Sequence, residues 1–162
     1  MRNLKSKAAI AALVTLMLTL PADEGKRNFP YKDIAGVLTV CYGHTGRDIE
    51  MREYSDQECL DILKKDTQEH MLIVQGCSKR EIPANPLSAF TSFNFNTGKW
   101  CNSRSNREWN AGNDKEACRA MAYSPSGSPA WSYVNGNRYV KGLHDRRIRE
   151  MQLCLKDSQS TP

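Results

Sequence analysis

The most informative part of the chain is residues 23–46, which read DEGKRNFPYKDIAGVLTVCYGHTG. Within it, residues 37–42 are β-branched, apolar or aromatic, which is typical of a strand. Residues 33–36 predict a turn before that strand, and residues 44–46 predict a second turn after it. The pattern indicates a small antiparallel sheet near the N-terminal end.

After this sheet the sequence pattern is helical. A capping box at residues 55–58 precedes a predicted helix over 56–75. Pro86 is placed as the first residue of an apolar helix that runs to Asn96, with Gly98 as its stop. Three further helices are predicted, one near Arg107, one capped by Asp114 and one over 142–155, followed by a frayed polar tail after Lys156. With no internal repeat or linker, we predict one α+β, predominantly helical domain.

Before residue 23 the chain has the features of an export segment. Arg2, Lys5 and Lys7 precede the uncharged run Ala8–Ala22, and basic residues before an apolar stretch are typical of secretion signals. The apolar core of this run would span roughly 20 Å as a helix, short of the ~30 Å bilayer core. The alternative is a buried core helix.

The sequence around residue 22 is a poor signal for cleavage of this segment. Leu20-Pro21-Ala22 places a bulky Leu20 in a poor cleavage site, and cutting after Ala22 would leave Glu24 as the second residue. We therefore predict an uncleaved export or signal-anchor segment over 1–22 and a catalytic domain over 23–162. Ordinary signal cleavage stays open.

The net charge and the cysteine content limit the classes of protein to which the chain can belong. A net charge of +5 and a pI near 8.9 favour anionic partners, although such a charge can also serve solubility alone. Basic residues are not interleaved with aromatics along a helix face, so no nucleic-acid partner is predicted. Six cysteines indicate disulfides and an oxidising compartment, and without Cys-x-x-Cys pairs no metal is predicted. The disulfide candidates are Cys41, Cys59, Cys77, Cys101, Cys118 and Cys154.

Two carboxylates in the quoted stretch could carry chemistry. Glu24 ends the predicted helical segment, and Asp33 lies nine positions later in a turn, so the two could face each other across a cleft. Glycoside hydrolysis needs such a pair, one group to protonate the leaving oxygen and one to handle water. Most of the 18 acidic residues must be solvated surface, so spacing alone does not identify a catalytic pair.

The order Glu-Gly, Tyr-Lys-Asp, Gly-x-x-Thr, Gly-His-Thr resembles the active-site region of the phage-type lysozymes, glycoside hydrolase family 24. Glu24, Asp33 and Thr39 match the spacing of that family's site without a gap. Ser92–Gly98 resembles the family's helix near the cleft, with Asn96 at the substrate-facing position. Residues 142–150 resemble its C-terminal helix.

The resemblance implies a lysozyme-like fold and a function. Glu24 would be the general acid, and Asp33 and Thr39 would position or activate the attacking water. The substrate would be the β-1,4 bond between N-acetylmuramic acid and N-acetylglucosamine in peptidoglycan, cleaved without a cofactor during host lysis. The apolar N-terminus resembles that of signal-arrest-release endolysins, which implies export to the periplasm and an inner-membrane tether before release. We expect the protein to be a monomer.

Other residues have two interpretations each. His44 is a candidate substrate-binding residue, or a structural partner of a carbonyl or carboxylate. Cys41 is a nucleophile or redox switch, or a disulfide partner of Cys59. The three tryptophans could stack on sugars, but core packing is favoured for each. Arg146 and Arg147 could meet the anionic wall or lie on a solvated face.

Two rival functions stay open. A lytic transglycosylase would use one acid/base glutamate and form an anhydro-sugar without water, which would make Asp33 dispensable. A wall- or membrane-anchored binding module would keep the fold without the activity.

Overall fold

The computed structural model describes residues 2–158 of the protein, with side chains as far as Lys156. Within those residues the chain forms six α-helices and two antiparallel sheets. The helices are α1 (Lys7–Glu24), α2 (Asp56–Cys77), α3 (Ala84–Thr97), α4 (Arg104–Asn110), α5 (Asp114–Arg119) and α6 (Lys141–Ser158). The strands are β1 (Arg27–Lys32), β2 (Leu38–Cys41), β3 (His44–Thr45), β4 (Tyr133–Val134) and β5 (Arg138–Tyr139), and a short 3₁₀-helix spans Trp100–Asn102. The α+β, mainly helical prediction is confirmed.

Helix α1 contains most of the predicted export segment and continues past it to Glu24. The Ser6 hydroxyl caps its start by accepting a hydrogen bond from the Ala9 amide at 3.1 Å. One face is buried in the core, and the other is apolar and exposed. The buried residues are Ala9, Ala12, Leu16 and Leu20, and the exposed ones include Ile10, Val14 and Leu18. Within residues 2–158, no helix combines the length and apolarity needed to span a membrane.

The predicted sheet has three strands in the order β1-β2-β3. Tyr31 pairs with Thr39 across β1 and β2, and Thr39 pairs with Thr45 across β2 and β3. The turn predicted at residues 44–46 is wrong, because residues 44 and 45 form β3. The reversal lies at residues 42–43, where Gly43 has a φ of +76° that suits a tight hairpin.

Helices α2 and α3 begin and end close to the predicted residues. The capping box at the start of α2 is confirmed, with the Ser55 hydroxyl accepting from the Glu58 amide at 3.1 Å. Helix α3 begins at Ala84 rather than at Pro86, and Pro86 fits in the first turn because amides there have no intrahelical partner. Gly98 ends α3 in the left-handed region, as predicted.

The later helices differ from the prediction at their ends. Asn113 is the residue before α5, so Asp114 is its first residue and not its cap. Helix α6 begins at Lys141 and continues to Ser158, which is longer than predicted. The last residues of the predicted frayed tail, 159–162, lie outside the described residues.

Helix α3 is central and contacts α1, α2 and α6. Its Phe90 ring stacks on Trp100 at 4.5 Å and meets the edge of Trp109 at 5.4 Å between centroids. Both tryptophans are buried, which confirms core packing for them. For Trp131 that prediction is wrong, because 39% of the residue is exposed; its ring meets that of Phe93 edge-on at 5.1 Å between centroids.

The six cysteines form three disulfide bonds, each between one cysteine and the next cysteine along the chain. Cys41–Cys59 links the sheet to α2, Cys77–Cys101 links α2 to the 3₁₀-helix, and Cys118–Cys154 links α5 to α6. Cys59 is thus confirmed as the partner of Cys41. A disulfide role therefore replaces the nucleophile interpretation of Cys41.

Candidate active site

Glu24 is the last residue of α1 and is held by an arginine of α6. The Arg146 Nη1 donates to Glu24 Oε1 at 2.7 Å, and both side chains are mostly buried. The other carboxylate oxygen, Oε2, lies 3.7 Å from the place that a Cβ at Gly43 would occupy. Glu24 thus has one oxygen fixed by a cation and the other directed toward the β2–β3 turn.

Arg146 belongs to a buried cluster of charges between α1, α3 and α6. Its Nε lies 3.3 Å from Glu150 Oε1, and Arg147 Nε lies 2.9 Å from Glu150 Oε2. The Ser92 hydroxyl of α3 also donates to Glu150 at 2.8 Å. Burial raises the pKa of the Glu150 carboxyl, and the two arginines oppose that shift.

This cluster corrects one interpretation of the sequence. Arg146 is 6% exposed and Arg147 is fully buried, so neither lies on a solvated face. Buried charges are tolerated only with partners and hydrogen bonds. The cluster therefore fixes the orientation of α6, and through Arg146 the position of the Glu24 carboxylate.

Asp33 and Thr39 lie on the hairpin that follows Glu24. Asp33 Oδ1 accepts from the amides of Ala35 and Val37, both at 2.9 Å, so its carboxylate organises the turn between β1 and β2. Thr39 is buried, and its hydroxyl donates to the Val37 carbonyl at 3.0 Å. A hydroxyl that donates in this way keeps its lone pairs available to accept from a water.

A polar cleft of about 240 Å³ opens beside this hairpin. Its walls come from the β2–β3 turn and β3, from one face of α2, and from the end of α3. The lining residues are Gly43, His44, Thr45, Asp66, Glu69, His70 and Phe95. Gly43 joins the cleft to Glu24, and Thr45 joins it to Thr39 through the strand pairing. The cleft thus touches the neighbours of two of the three predicted catalytic residues.

His44 lines the cleft but bonds two carboxylates. Its Nδ1 lies 2.7 Å from Asp66 Oδ2, and its Nε2 lies 3.0 Å from Asp48 Oδ1. Carboxylates only accept, so both ring nitrogens donate and the ring is an imidazolium. Burial lowers the pKa of His44, but the bonds to the two carboxylates outweigh burial and raise it above its ordinary value. The structural interpretation of His44 is borne out, and its substrate-binding role stays a prediction.

Asn96, the other predicted substrate-binding residue, is exposed next to Phe95 on α3. Its Oδ1 accepts from Arg147 Nη2 at 3.0 Å, so the buried charge cluster orients it. Its binding role stays a prediction.

Sequence reasoning missed Asp66 and His70. The two lie four positions apart on α2, and that spacing places them on one helix face. This helical spacing is the feature of the sequence that could have identified the two residues as a pair. Within residues 2–158, no group of three or more His, Cys, Asp or Glu residues could hold a metal ion.

Comparisons with known proteins identify the family of the chain. The family model described as phage lysozyme matches residues 22–150. The SAR-endolysin of Bacteriophage PS119 is 36% identical over 155 residues, which cover 91% of this chain and 88% of that protein. The SAR-endolysin of Escherichia phage Mu is 39% identical over 126 residues, covering 76% of this chain and 69% of that protein.

Solved structures show the same fold at lower identity. The muramidase domain of SpmX from Asticaccaulis excentricus aligns with a TM-score of 0.74 at 24% identity, covering 98% of this chain and 100% of that one. The active form of the P1 phage endolysin Lyz aligns with a TM-score of 0.72 at 23% identity, covering 95% and 97%. Because the family model spans most of the chain and the relatives exceed 30% identity, the chain belongs to the phage lysozyme family.

Proposed function

We propose that the protein is an endolysin muramidase. It hydrolyses the β-1,4 bond between N-acetylmuramic acid and N-acetylglucosamine of peptidoglycan and so lyses the host cell. One observation carries this proposal: Arg146 fixes one oxygen of Glu24 while the other is directed toward Gly43, at the margin of a polar cleft. Membership of the phage lysozyme family supports the substrate class.

In this mechanism Glu24 is the general acid. Its carboxyl protonates the glycosidic oxygen as the bond to the anomeric carbon breaks, and an oxocarbenium-like centre develops. Asp33 accepts a proton from the attacking water, whose orientation Thr39 assists through its free lone pairs. Attack from the opposite face inverts the anomeric carbon.

Glu24→Gln tests the role of the acid. The amide keeps the shape but cannot supply the proton, so we expect lysis of permeabilised cells to fall by at least about 100-fold. Glu53→Gln is the matched control, because Glu53 is exposed on a loop, and should retain full activity. Full lysis by the Glu24→Gln protein would leave a binding module or another catalytic group as the explanation.

Asp33→Asn separates hydrolysis from transglycosylation. The asparagine oxygen can still accept from the amides of Ala35 and Val37, so the turn should persist. We expect loss of cleavage in this variant, and wild-type products whose masses include one added water per bond cut. Anhydro-sugar products, formed equally well by the variant, would identify a transglycosylase.

We further propose that residues 1–22 direct export, tether the enzyme to the inner membrane before release, and remain attached, with residues 7–22 forming most of α1, while residues 23–162 carry the catalytic machinery. Support comes from the buried face of α1 and from its continuity with Glu24. N-terminal sequencing of the periplasmic form should find a chain that begins before Ala8. A chain beginning at Asp23 would show cleavage instead. We also propose that the protein is a monomer, so light scattering should give the mass of one chain.

A further inference from the structure

Two histidines line the cleft and the proposed mechanism uses neither, but His44 is already bonded to two carboxylates, which leaves His70 to be explained. His70 of α2 is half-buried and lines the cleft, and its ring lies 5.1 Å from that of Phe95, which also lines it. Its Nδ1 lies 2.8 Å from the side-chain nitrogen of Asn94, and within residues 2–156 no protein group bonds its Nε2. The proton on His70 therefore determines what this wall of the cleft offers to a ligand.

The surroundings of Asn94 fix that proton. Asn94 is 1% exposed, and its side-chain oxygen accepts from the buried backbone amide of Trp100 at 3.2 Å. Because the oxygen is used there, the NH₂ group must face His70. An NH₂ group only donates, so Nδ1 of His70 accepts and is unprotonated. The neutral ring then carries its proton on Nε2.

The charge state of His70 agrees with this geometry. Burial lowers the pKa of His70, and the negative charges of Asp66, Glu69 and Glu24 oppose that shift without reversing it. The ring is therefore neutral where an ordinary histidine is partly charged. His70 presents a single N–H donor beside the exposed part of an aromatic ring.

We propose that His70 is a substrate-binding residue whose Nε2–H donates to the carbonyl oxygen of an N-acetyl group on the glycan, with Phe95 against the acetyl methyl. An acetamido group combines one strong acceptor with one methyl, which matches a neutral N–H beside an apolar ring. A sugar hydroxyl has no methyl to pack on Phe95. This inference rests on the proposed function, since it assumes that the glycan enters this cleft.

The substrate test compares His70→Phe with wild type on native and chemically N-deacetylated peptidoglycan. Phenylalanine keeps a ring and removes the donor, so we expect KM on native peptidoglycan to rise about three- to tenfold with kcat nearly unchanged. On the deacetylated substrate the two proteins should have equal KM. An equal loss on both substrates, or none on the native one, would overturn the inference.

Two further variants serve as a rescue and as a matched control for this comparison. His70→Gln supplies an N–H donor together with an oxygen that can accept from Asn94, and it should recover most of the KM on native peptidoglycan. His144→Phe is the matched control, because His144 lies on α6, outside the residues that line the cleft, and bonds Ser132. Its effect, if any, should be the same on both substrates.

The tautomer is tested separately by ¹⁵N NMR of the histidine ring. Wild type should show the proton of His70 on Nε2, and Asn94→Asp should add a proton on Nδ1, because an aspartate accepts from both Trp100 and the ring. A protonated Nδ1 in the wild-type protein would overturn the inference.

The outcomes also separate this inference from the proposed function. Wild-type protein that does not cleave peptidoglycan contradicts the proposed function. In that case, binding of an N-acetylated glucosamine oligomer still tests His70, through the shift of its Nε2 signal. The oligomer should move that signal and its deacetylated form should not, and an unmoved signal would overturn the inference.

Discussion

At the scale of single residues, the site is organised by hydrogen bonds that leave few alternative orientations. Arg146 holds one oxygen of Glu24, and two amides hold one oxygen of Asp33. The ring of His44 is held between two carboxylate partners, Asp66 and Asp48. Fixed orientation favours catalysis because a group that is already held in the reactive geometry loses little further conformational entropy when it reacts.

The His44–Asp66 pair makes stability depend on pH. The pKa of His44 is raised in the folded protein, so its contribution is fully present below the ordinary histidine pKa of about 6.5. This contribution is lost as pH rises through the raised value. Burial raises the pKa of Asp66 despite its contact with His44. In acid the aspartate is therefore neutralised and the ion pair itself is lost, but protonation of a carboxyl with a raised pKa favours the folded state and does not lower its stability.

Asp66→Asn should therefore destabilise the protein only within a pH window. We expect a loss of about 1–3 kcal/mol in the free energy of unfolding near pH 6, shrinking as pH rises through the pKa of His44. Urea unfolding at a series of pH values measures it. Asp48→Asn, at the exposed partner of His44, should cost less than about 1 kcal/mol. A loss that stays constant from acid to alkaline pH would contradict the assignment.

At the scale of elements, the sequence predicted what depends on local pattern. The helical periodicity of α2, its capping box and the Gly98 stop were all readable because each signal lies within a few residues. The β4–β5 hairpin was missed, although Asn135-Gly136 is a strong turn signal, because its strands have only two residues each. Alternation cannot be recognised over so short a length.

The disulfides tie elements that local pattern leaves independent. The Cys118–Cys154 bond joins α5 to α6 and encloses 36 residues in sequence. In the chain-entropy description a loop of this length stabilises by about 4 kcal/mol. Replacing both cysteines by alanine should lower the free energy of unfolding by about 3–4 kcal/mol, measured in urea. The same change at Cys41 and Cys59, which are 18 apart, should cost slightly less, and a much larger cost there would contradict the loop-length account.

At the scale of the whole molecule, what could not be predicted depends on distant contacts. Arg146 meets Glu24 across 122 positions, and no periodicity in α6 reveals that its arginines are buried. The spacing of Glu24, Asp33 and Thr39 was recognisable only through a known family. The Asn94–His70 contact was invisible because it requires the register between α2 and α3.

The core position of α1 yields a paired prediction. Leu16 is buried at 1% exposure and Leu18 is 79% exposed on the same helix. Leu16→Ala should lower the free energy of unfolding by about 2–5 kcal/mol, because it leaves a cavity against α3. Leu18→Ala should change it by less than about 0.5 kcal/mol. Chemical denaturation of the full chain measures both, and equal effects would show that α1 does not pack as described.

The two small residues on the buried face of α1 have a consequence for how this sequence can change. Ala9 and Ala12 have essentially no exposed surface, so a larger side chain at either position would overlap the neighbouring core. Mutations that place a larger hydrophobic side chain at Ala9 or Ala12 would therefore be selected against, because they would destabilise the folded protein. A more hydrophobic α1 can therefore be reached without overpacking the core only through outward positions such as Ile10, Val14 and Leu18.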